Sequence, residues 1–285
     1  MPVSTWAIAG PEKLTFDEPV TALSVRIVNG TVNVVGTEEP TARLEVTDIE
    51  GPPLIVTQDD GVLTVAYEDL AWQGFLKWFD RKGWHRRAVV SLAVPAGSAV
   101  EVGVVGAGAF VSGIRGRTDV RGVTGDTTLV ALAGPVGADT VSGSLEAQAV
   151  TGDLRFHSVS GDLTVVEGAG TSVRAESVSG NMVLDLDATG KPTDIRLTTV
   201  SGEVAIRLPH PADAKVEANT ASGSVSNGFE DLRVNGQWGA KRITGTLGAG
   251  TGTLKATTVS GSIALLRRPP AEDDPHDAEQ TGKVL

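Results

Sequence analysis

Apolar and polar residues alternate along most of this chain, and the alternation restarts at short corners that contain glycine. Relative to the corner glycine, apolar residues stand seven and five positions before it and two positions after it, with polar residues between them. Successive side chains of a β-strand point to opposite faces, so the pattern predicts a half-buried strand on each side of every corner.

Most corners have the form Val-Ser-Gly, and we expect the glycine to take a positive φ while the Ser or Thr before it bonds the local backbone. The predicted structural corners are Gly30, Gly125, Gly143, Gly152, Gly161, Gly180, Gly202, Gly223 and Gly261. From Gly125 onward, counting Gly245 as well, glycines of this series recur every 16 to 22 residues, which is a suitable length for one coil. Gly and Pro breakers lie midway between them and predict a second corner of variable length.

A single coil of this size buries too little apolar surface to fold alone, so the coils must stack on one another. The predicted fold is therefore all-β, a parallel β-helix or solenoid. The handedness of parallel crossovers favours a right-handed sense.

The chain is predicted to have three parts. Residues 1–98 form an N-terminal β region, in which coil formation begins near residues 21–35 and irregular strands at about 42–46, 54–57, 61–67 and 88–94 cover the first coil. Residues 99–266 form the solenoid of Val-Ser-Gly repeats. Residues 267–285 are acidic and Pro-rich, a composition typical of a disordered tail.

One segment differs from the rest in composition, and it predicts a short amphipathic helix from about Asp69 to Lys82. Its apolar residues follow helical spacing, and residues 69–87 hold five basic residues against two acidic ones. We expect the helix to cap the first coil; the alternative is an anchor for an anionic membrane or a partner. The candidate interaction residues are Trp72, Phe75, Leu76, Trp78, Phe79, Lys77, Arg81, Arg86 and Arg87.

Composition excludes several kinds of site. A net charge of −11 argues against nucleic-acid binding, and the absence of Cys excludes disulfides and thiolate metal ligands. The four His are scattered, and the Gly-rich stretch 248–252 lacks the Lys-Ser/Thr of a phosphate loop, so we expect no metal and no cofactor. The first ten residues have no signal-peptide pattern, which favours a cytoplasmic location, with export by another route left open.

Acidic residues directly after corner glycines are the one candidate for chemistry. Asp126, Asp153, Asp162 and Glu203 are placed to stack into a carboxylate ladder that binds Ca²⁺ or acts on a polysaccharide. Ser occupies the same position in other repeats, so we favour solvated turn acids.

The repeated T-V-S-G-x-V and S-V-S-G-D-L units, and the F-x-x-P-V-x-x-L-x-V-x-x-x-x-G-x-V-x-V stretch from Phe16 to Val34, resemble the bacterial adhesin-like family called DUF4097 over roughly residues 14–266. The chain departs from the family's corner at residues 105–108 and in the Trp-rich insertion. The resemblance implies a β-helical protein without catalytic residues, with some relatives linked to envelope stress responses.

We therefore predict a non-enzymatic, adhesin-like interaction or scaffold protein. Its partner is an unknown protein or envelope component. The alternatives are a carbohydrate-active β-helix enzyme and a peripheral membrane-binding sensor that uses the Trp-rich helix.

Overall fold

The computed structural model describes residues 3–68, 86–188, 191–237 and 239–268. The secondary structure of these residues consists of 26 strands, numbered here in chain order, so the all-β prediction is confirmed. The predicted amphipathic helix is not borne out: the described residues contain strands and no helix, and residues 69–82 lie outside them.

The strands form two long, mostly parallel sheets. Sheet 1 contains β1 (Ser4–Ile8), β3 (Ala22–Ile27), β6 (Leu54–Asp59), β7 (Val62–Ala66), β9 (Ala99–Val104), β11 (Thr118–Gly122), β13 (Val136–Asp139), β15 (Leu154–His157), β17 (Ser172–Glu176), β19 (Asp194–Thr199), β21 (Ala214–Thr220), β23 (Leu232–Gln237), β24 (Ala240–Leu247) and β25 (Gly252–Thr258). Sheet 2 contains β2 (Glu12–Thr15), β4 (Asn29–Thr37), β5 (Arg43–Glu50), β8 (Arg87–Pro95), β10 (Gly108–Ser112), β12 (Thr127–Val130), β14 (Leu145–Gln148), β16 (Leu163–Gly168), β18 (Met182–Leu186), β20 (Val204–Leu208), β22 (Val225–Asn227) and β26 (Ile263–Arg267).

Each coil of the central region gives one strand to each sheet, and equivalent residues of neighbouring coils pair in register. Leu145 pairs with Leu163, and Leu163 with Met182, so the inward set of one coil lies on that of the next. These inward residues are fully or almost fully buried and are mostly Val, Leu, Ile and Ala. The predicted solenoid is therefore confirmed; its handedness stays a prediction.

At both ends of the stack the order of coils in space differs from their order in the chain. The coil β3–β4 lies between β7–β8 and β9–β10, and the last coil, β25–β26, lies between β19–β20 and β21–β22. Antiparallel strands continue the sheets beyond these coils, with β5, β6, β1 and β2 at one end and β24 and β23 at the other. The strands predicted between residues 42 and 94 are confirmed as β5 to β8.

The corner glycines form a line along the solenoid, but the predicted positive φ is wrong for all of them except Gly30, whose φ is 114°. Glycine is required at these corners because the backbones of adjacent coils approach each other closely. A Cβ would lie 1.8–2.1 Å from the carbonyl oxygen of the corner residue in the adjacent coil at Gly30, Gly125, Gly143, Gly161, Gly180, Gly202, Gly261 and Gly223. Residues 105–108, where the sequence departs from the usual corner motif, take the same place in the line, and the carbonyl oxygen of Ala107 is the one that a Cβ at Gly125 would meet.

Two predicted members of this line lie elsewhere. Gly152 belongs to a second line at the opposite corner, formed by Gly116, Gly134, Gly152 and Gly170. Gly245 lies inside β24 rather than at a corner. We call the Val-Ser-Gly side the fixed corner and the opposite side the variable corner, because after residue 170 the second line stops and loops of different length replace it.

Hydroxyl groups join the coils at the fixed corner. The Ser before the glycine donates a hydrogen bond to the carbonyl oxygen of a valine one coil away, as Ser179 does to Val159. The valine that directly precedes this Ser in the same corner is about half exposed. A second Ser or Thr, three residues before the glycine, accepts a hydrogen bond from the glycine N–H. This role was not predicted from the sequence. It is performed by Ser158, Ser177, Thr199, Thr220 and Thr258.

Candidate ligand-binding groove

A polar groove of about 740 Å³ runs across the outer face of sheet 1 from β11 to β25. The inward residues of these strands are buried in the core, so the outward residues are held on a rigid, in-register sheet. Adjacent strands of a sheet lie roughly 4.8 Å apart, so equivalent outward residues form closely spaced rows across the groove. The central row is Asp119, Gly137, Arg155, Arg174, Arg196 and Lys255.

The aspartates of the groove all have partners. Asp119 accepts hydrogen bonds from Arg117, and Asp139 lies 2.9 Å from Nδ1 of His157. At the other end, Asp194 pairs with Arg174 and Arg196 at 3.0 and 3.1 Å. It also accepts a hydrogen bond of 2.6 Å from Oγ1 of Thr253 in the last coil.

Arg155 is different because it is exposed and forms no ion pair or hydrogen bond within the part of the chain that the structure describes. Its neighbours in the central row are Gly137 on β13 and Arg174 on β17, and Arg174 is itself paired with Asp194. Among the described arginines of the groove lining, Arg155 is therefore the one that is exposed without a partner.

Gly137 leaves the space beside Arg155 without a side chain. A Cβ at this position would lie 2.7 Å from Oδ1 of Asp119, so glycine keeps the floor of the groove open between Asp119 and Arg155.

One carboxyl group of the groove, that of Asp194, has a lowered pKa. The hydrogen bond from Thr253, helped by Arg174 and Arg196, lowers the pKa of Asp194 to about 2. In the described residues, every carboxyl group with a resolved shift has a lowered pKa, at Glu38, Asp185, Asp194, Asp213 and Glu217. A catalytic general acid needs a raised pKa. The same residues contain no cluster of His, Cys, Asp and Glu suited to a metal ion.

Of the candidate interaction residues, the structure describes Arg86 and Arg87, and neither lines this groove. Trp72, Phe75, Leu76, Trp78, Phe79, Lys77 and Arg81 lie outside the described residues. The guanidinium carbon of Arg86 lies 5.3 Å from the centroid of the Tyr67 ring. Arg87 is the first residue of β8, and its Nε lies 3.6 Å from Oδ2 of Asp48.

The turn acids bind neighbouring coils rather than a common ligand. Asp126 accepts the backbone N–H of Ser144, and Asp162 accepts that of Asn181. Asp153 accepts the hydroxyl of Thr171. Glu203 is itself the backbone donor, to the side chain of Asn181.

The groove could have been found from the sequence. Its central row occupies the position six residues before each corner glycine, where Arg155, Arg174, Arg196 and Lys255 recur. Aligning the outward positions as well as the inward ones shows this basic series.

In the described residues, no helix is long and apolar enough to cross a membrane. The family model described as Toastrack DUF4097 matches residues 20–266, and no curated protein matches the chain. Among solved structures, a candidate lipid-binding protein from Parabacteroides distasonis is similar at 10% identity and a TM-score of 0.47, covering 92% of this chain and 98% of that one. A candidate adhesin from the same organism has 12% identity and a TM-score of 0.43, covering 93% and 97%. A candidate cell adhesion protein from Clostridium sporogenes has 10% identity and a TM-score of 0.27, covering 90% and 100%.

Proposed function

Because the chain belongs to the Toastrack DUF4097 family, we propose that it is a non-enzymatic, adhesin-like binding protein whose recognition surface is the groove on sheet 1. The observation that carries the proposal is the guanidinium of Arg155, which is exposed, has no partner among the described residues and lies beside the open floor at Gly137. An exposed guanidinium beside open space can pair with an anionic group of a ligand.

The rigidity of the surface supports this proposal. The groove residues stand mainly on strands whose inward neighbours, such as Leu154, Phe156 and Val173, are at most 3% exposed. Sites on regular elements hold their geometry better than sites on loops, so a ligand meets a preorganised row of side chains.

A carbohydrate-active enzyme is the weaker alternative. Such enzymes use a carboxylic acid with a raised pKa paired with a second carboxylate, while the bonds from Thr253 and two arginines lower the pKa of Asp194. The turn acids Asp126, Asp153 and Asp162 are occupied as acceptors of neighbouring coils.

The test is to fill the groove and follow binding. The protein is immobilised and exposed to separated envelope fractions of the source cell: polysaccharide, protein and lipid vesicles. We expect Gly137→Phe to abolish retention of one fraction. The matched control is Val183→Phe, which adds the same ring to a side chain on β18 of sheet 2 that is already 47% exposed.

Equal retention by wild type and both variants would overturn the groove as the recognition surface. Retention of anionic vesicles by all three would favour the peripheral membrane alternative instead. Cleavage of the retained polymer during incubation would overturn the non-enzymatic assignment.

A further inference from the structure

We propose that the groove binds a linear polysaccharide that carries carboxylate groups, and that Arg155 is the residue that receives a carboxylate. This inference rests on the proposed function, since it names the ligand class of the same groove. An arginine that is exposed and has no acid beside it in its row offers two parallel N–H donors, the geometry that a carboxylate accepts.

The acids near Arg155 do not supply the missing partner. Asp119 is engaged by Arg117, Asp139 by His157, and Asp153 by Thr171. The carboxylates nearest Arg155 therefore each have a hydrogen-bond partner of their own, and a carboxylate that enters over Gly137 finds the Arg155 guanidinium without a partner among the described residues.

The direction of the groove favours a sugar chain over a peptide. It crosses six strands, from β11 to β25, which at the usual strand spacing is a length of roughly 24 Å. An extended peptide that adds to a sheet pairs its backbone with an edge strand, and this groove crosses the face perpendicular to the strands. Its far end is lined by hydroxyl groups, at Thr171, Ser172, Thr193, Thr251 and Thr253. Those of Thr171, Thr251 and Thr253 donate to aspartates, so they are suited to accept hydrogen bonds from sugar hydroxyls.

Charge selects among polysaccharides. The described lining contains four arginines and four aspartates, so the groove is locally near neutral within a chain of net charge −11. A densely charged polymer such as a nucleic acid or a sulfated glycan is repelled by the protein as a whole. A neutral polymer gains nothing from Arg155 and finds no Phe, Tyr or Trp in the described lining for stacking. A uronate chain offers carboxylates to Arg155 and carries fewer charges per unit length than a nucleic-acid duplex or a heavily sulfated glycan.

The experiment is a titration of the full chain with polygalacturonate, using fully methyl-esterified polygalacturonate and a sulfated glycan as comparison probes. We expect wild type to bind polygalacturonate and neither comparison probe. Arg155→Ala should weaken binding at least about tenfold, the loss expected for one charge-assisted pair. Arg155→Lys should recover only part of it because an ammonium group cannot bind both oxygens in the planar geometry.

The matched control is Arg233→Ala, which removes another exposed arginine of sheet 1, on β23 outside the groove lining. It should bind as wild type does. All variants change exposed side chains, so equal melting temperatures verify folding.

Binding that Arg155→Ala leaves unchanged, or equal binding of the esterified probe, would overturn this inference. If Gly137→Phe still abolishes retention of an envelope fraction in that case, the proposed function stands and only the ligand class is wrong. If no envelope fraction depends on the groove, the proposed function fails as well.

Discussion

The fixed and variable corners join the same coils by different means. At the fixed corner, glycine lies against the backbone of the next coil and buried hydroxyls bond the glycine N–H, coil after coil. At the variable corner, the glycine line ends at Gly170, and carboxylates tie the later coils. Asp213 accepts the N–H and hydroxyl of Thr251, and Asp194 accepts the hydroxyl of Thr253.

The difference shows how the fold tolerates change. A backbone contact repeated in every coil fixes the chain length at that corner, whereas a side-chain tie reaches across loops of unequal length. The first kind of contact is sensitive to any added atom, and the second is sensitive to pH.

The largest expected effect is from Gly180→Ala at the fixed corner. Its Cβ would lie 2.0 Å from the carbonyl oxygen of Gly161, so the coils must separate, and we expect a loss of about 3 kcal/mol in the free energy of unfolding. The control is Gly97→Ala, whose Cβ meets nothing within 4 Å. Urea denaturation of both variants checks this, and equal midpoints would contradict the close-approach explanation.

Removing one buried hydroxyl at the same corner should cost less. Oγ1 of Thr199 accepts the N–H of Gly202 at 3.2 Å and donates to the carbonyl of Gly180 at 3.3 Å. Thr199→Val leaves both groups unsatisfied, for about 2 kcal/mol. Thr198→Val is the control, since its side chain is exposed on the outer face of the same strand. Equal destabilisation by Thr199→Val and Thr198→Val would show that the buried hydroxyl of Thr199 does not stabilise the corner.

The variable corner should respond to acid. Asp194 has a pKa of about 2 in the folded protein against an ordinary value of 3.8. A lowered pKa stabilises the folded state above the ordinary value, and this contribution is lost as pH falls from about 4 through about 2. Wild type should therefore be more stable than Asp194→Asn at pH 7, and thermal melts should show the difference shrinking across that window. A constant difference would indicate that the charge of Asp194 contributes nothing.

The smallest effect should come from the exposed hydroxyls of the fixed corner. Ser201 donates to the carbonyl of Val178 across 3.5 Å and is exposed. Ser201→Ala should change the free energy of unfolding by no more than about 0.5 kcal/mol. A loss as large as that of Thr199→Val would mean that the outer hydroxyl stabilises the stack as much as the buried one.

The fold was predictable because inward residues such as Leu163 and Met182 must match the residues stacked on them, and this requirement repeats visibly in the sequence. The corner line from Gly125 to Gly223 was found for the same reason. The reason for glycine at these corners was not predictable from the sequence of one coil, because the atom that excludes a Cβ at Gly180 belongs to Gly161, 19 positions away.

The groove was harder to predict. Surface residues need not match their neighbours for the chain to fold, so Gly137 and Arg155 look like ordinary outward positions until the stacking register is known. Likewise, only the register shows that Asp126 and Asp162 face backbone donors of the next coil, not a shared ligand.

The position of the last coil has a consequence for how the chain is completed during synthesis. Strands β21 and β22 are made before β25 and β26, yet their parallel partners in the stack are β25 and β26 rather than β19 and β20. Residues 252–267 must therefore emerge from the ribosome before the segment from β21 to β24 can pack on the earlier coils. A nascent chain stopped at residue 251 would lack an interior layer of the stack instead of its outermost one, and two surfaces shaped for β25 and β26 would stay uncovered.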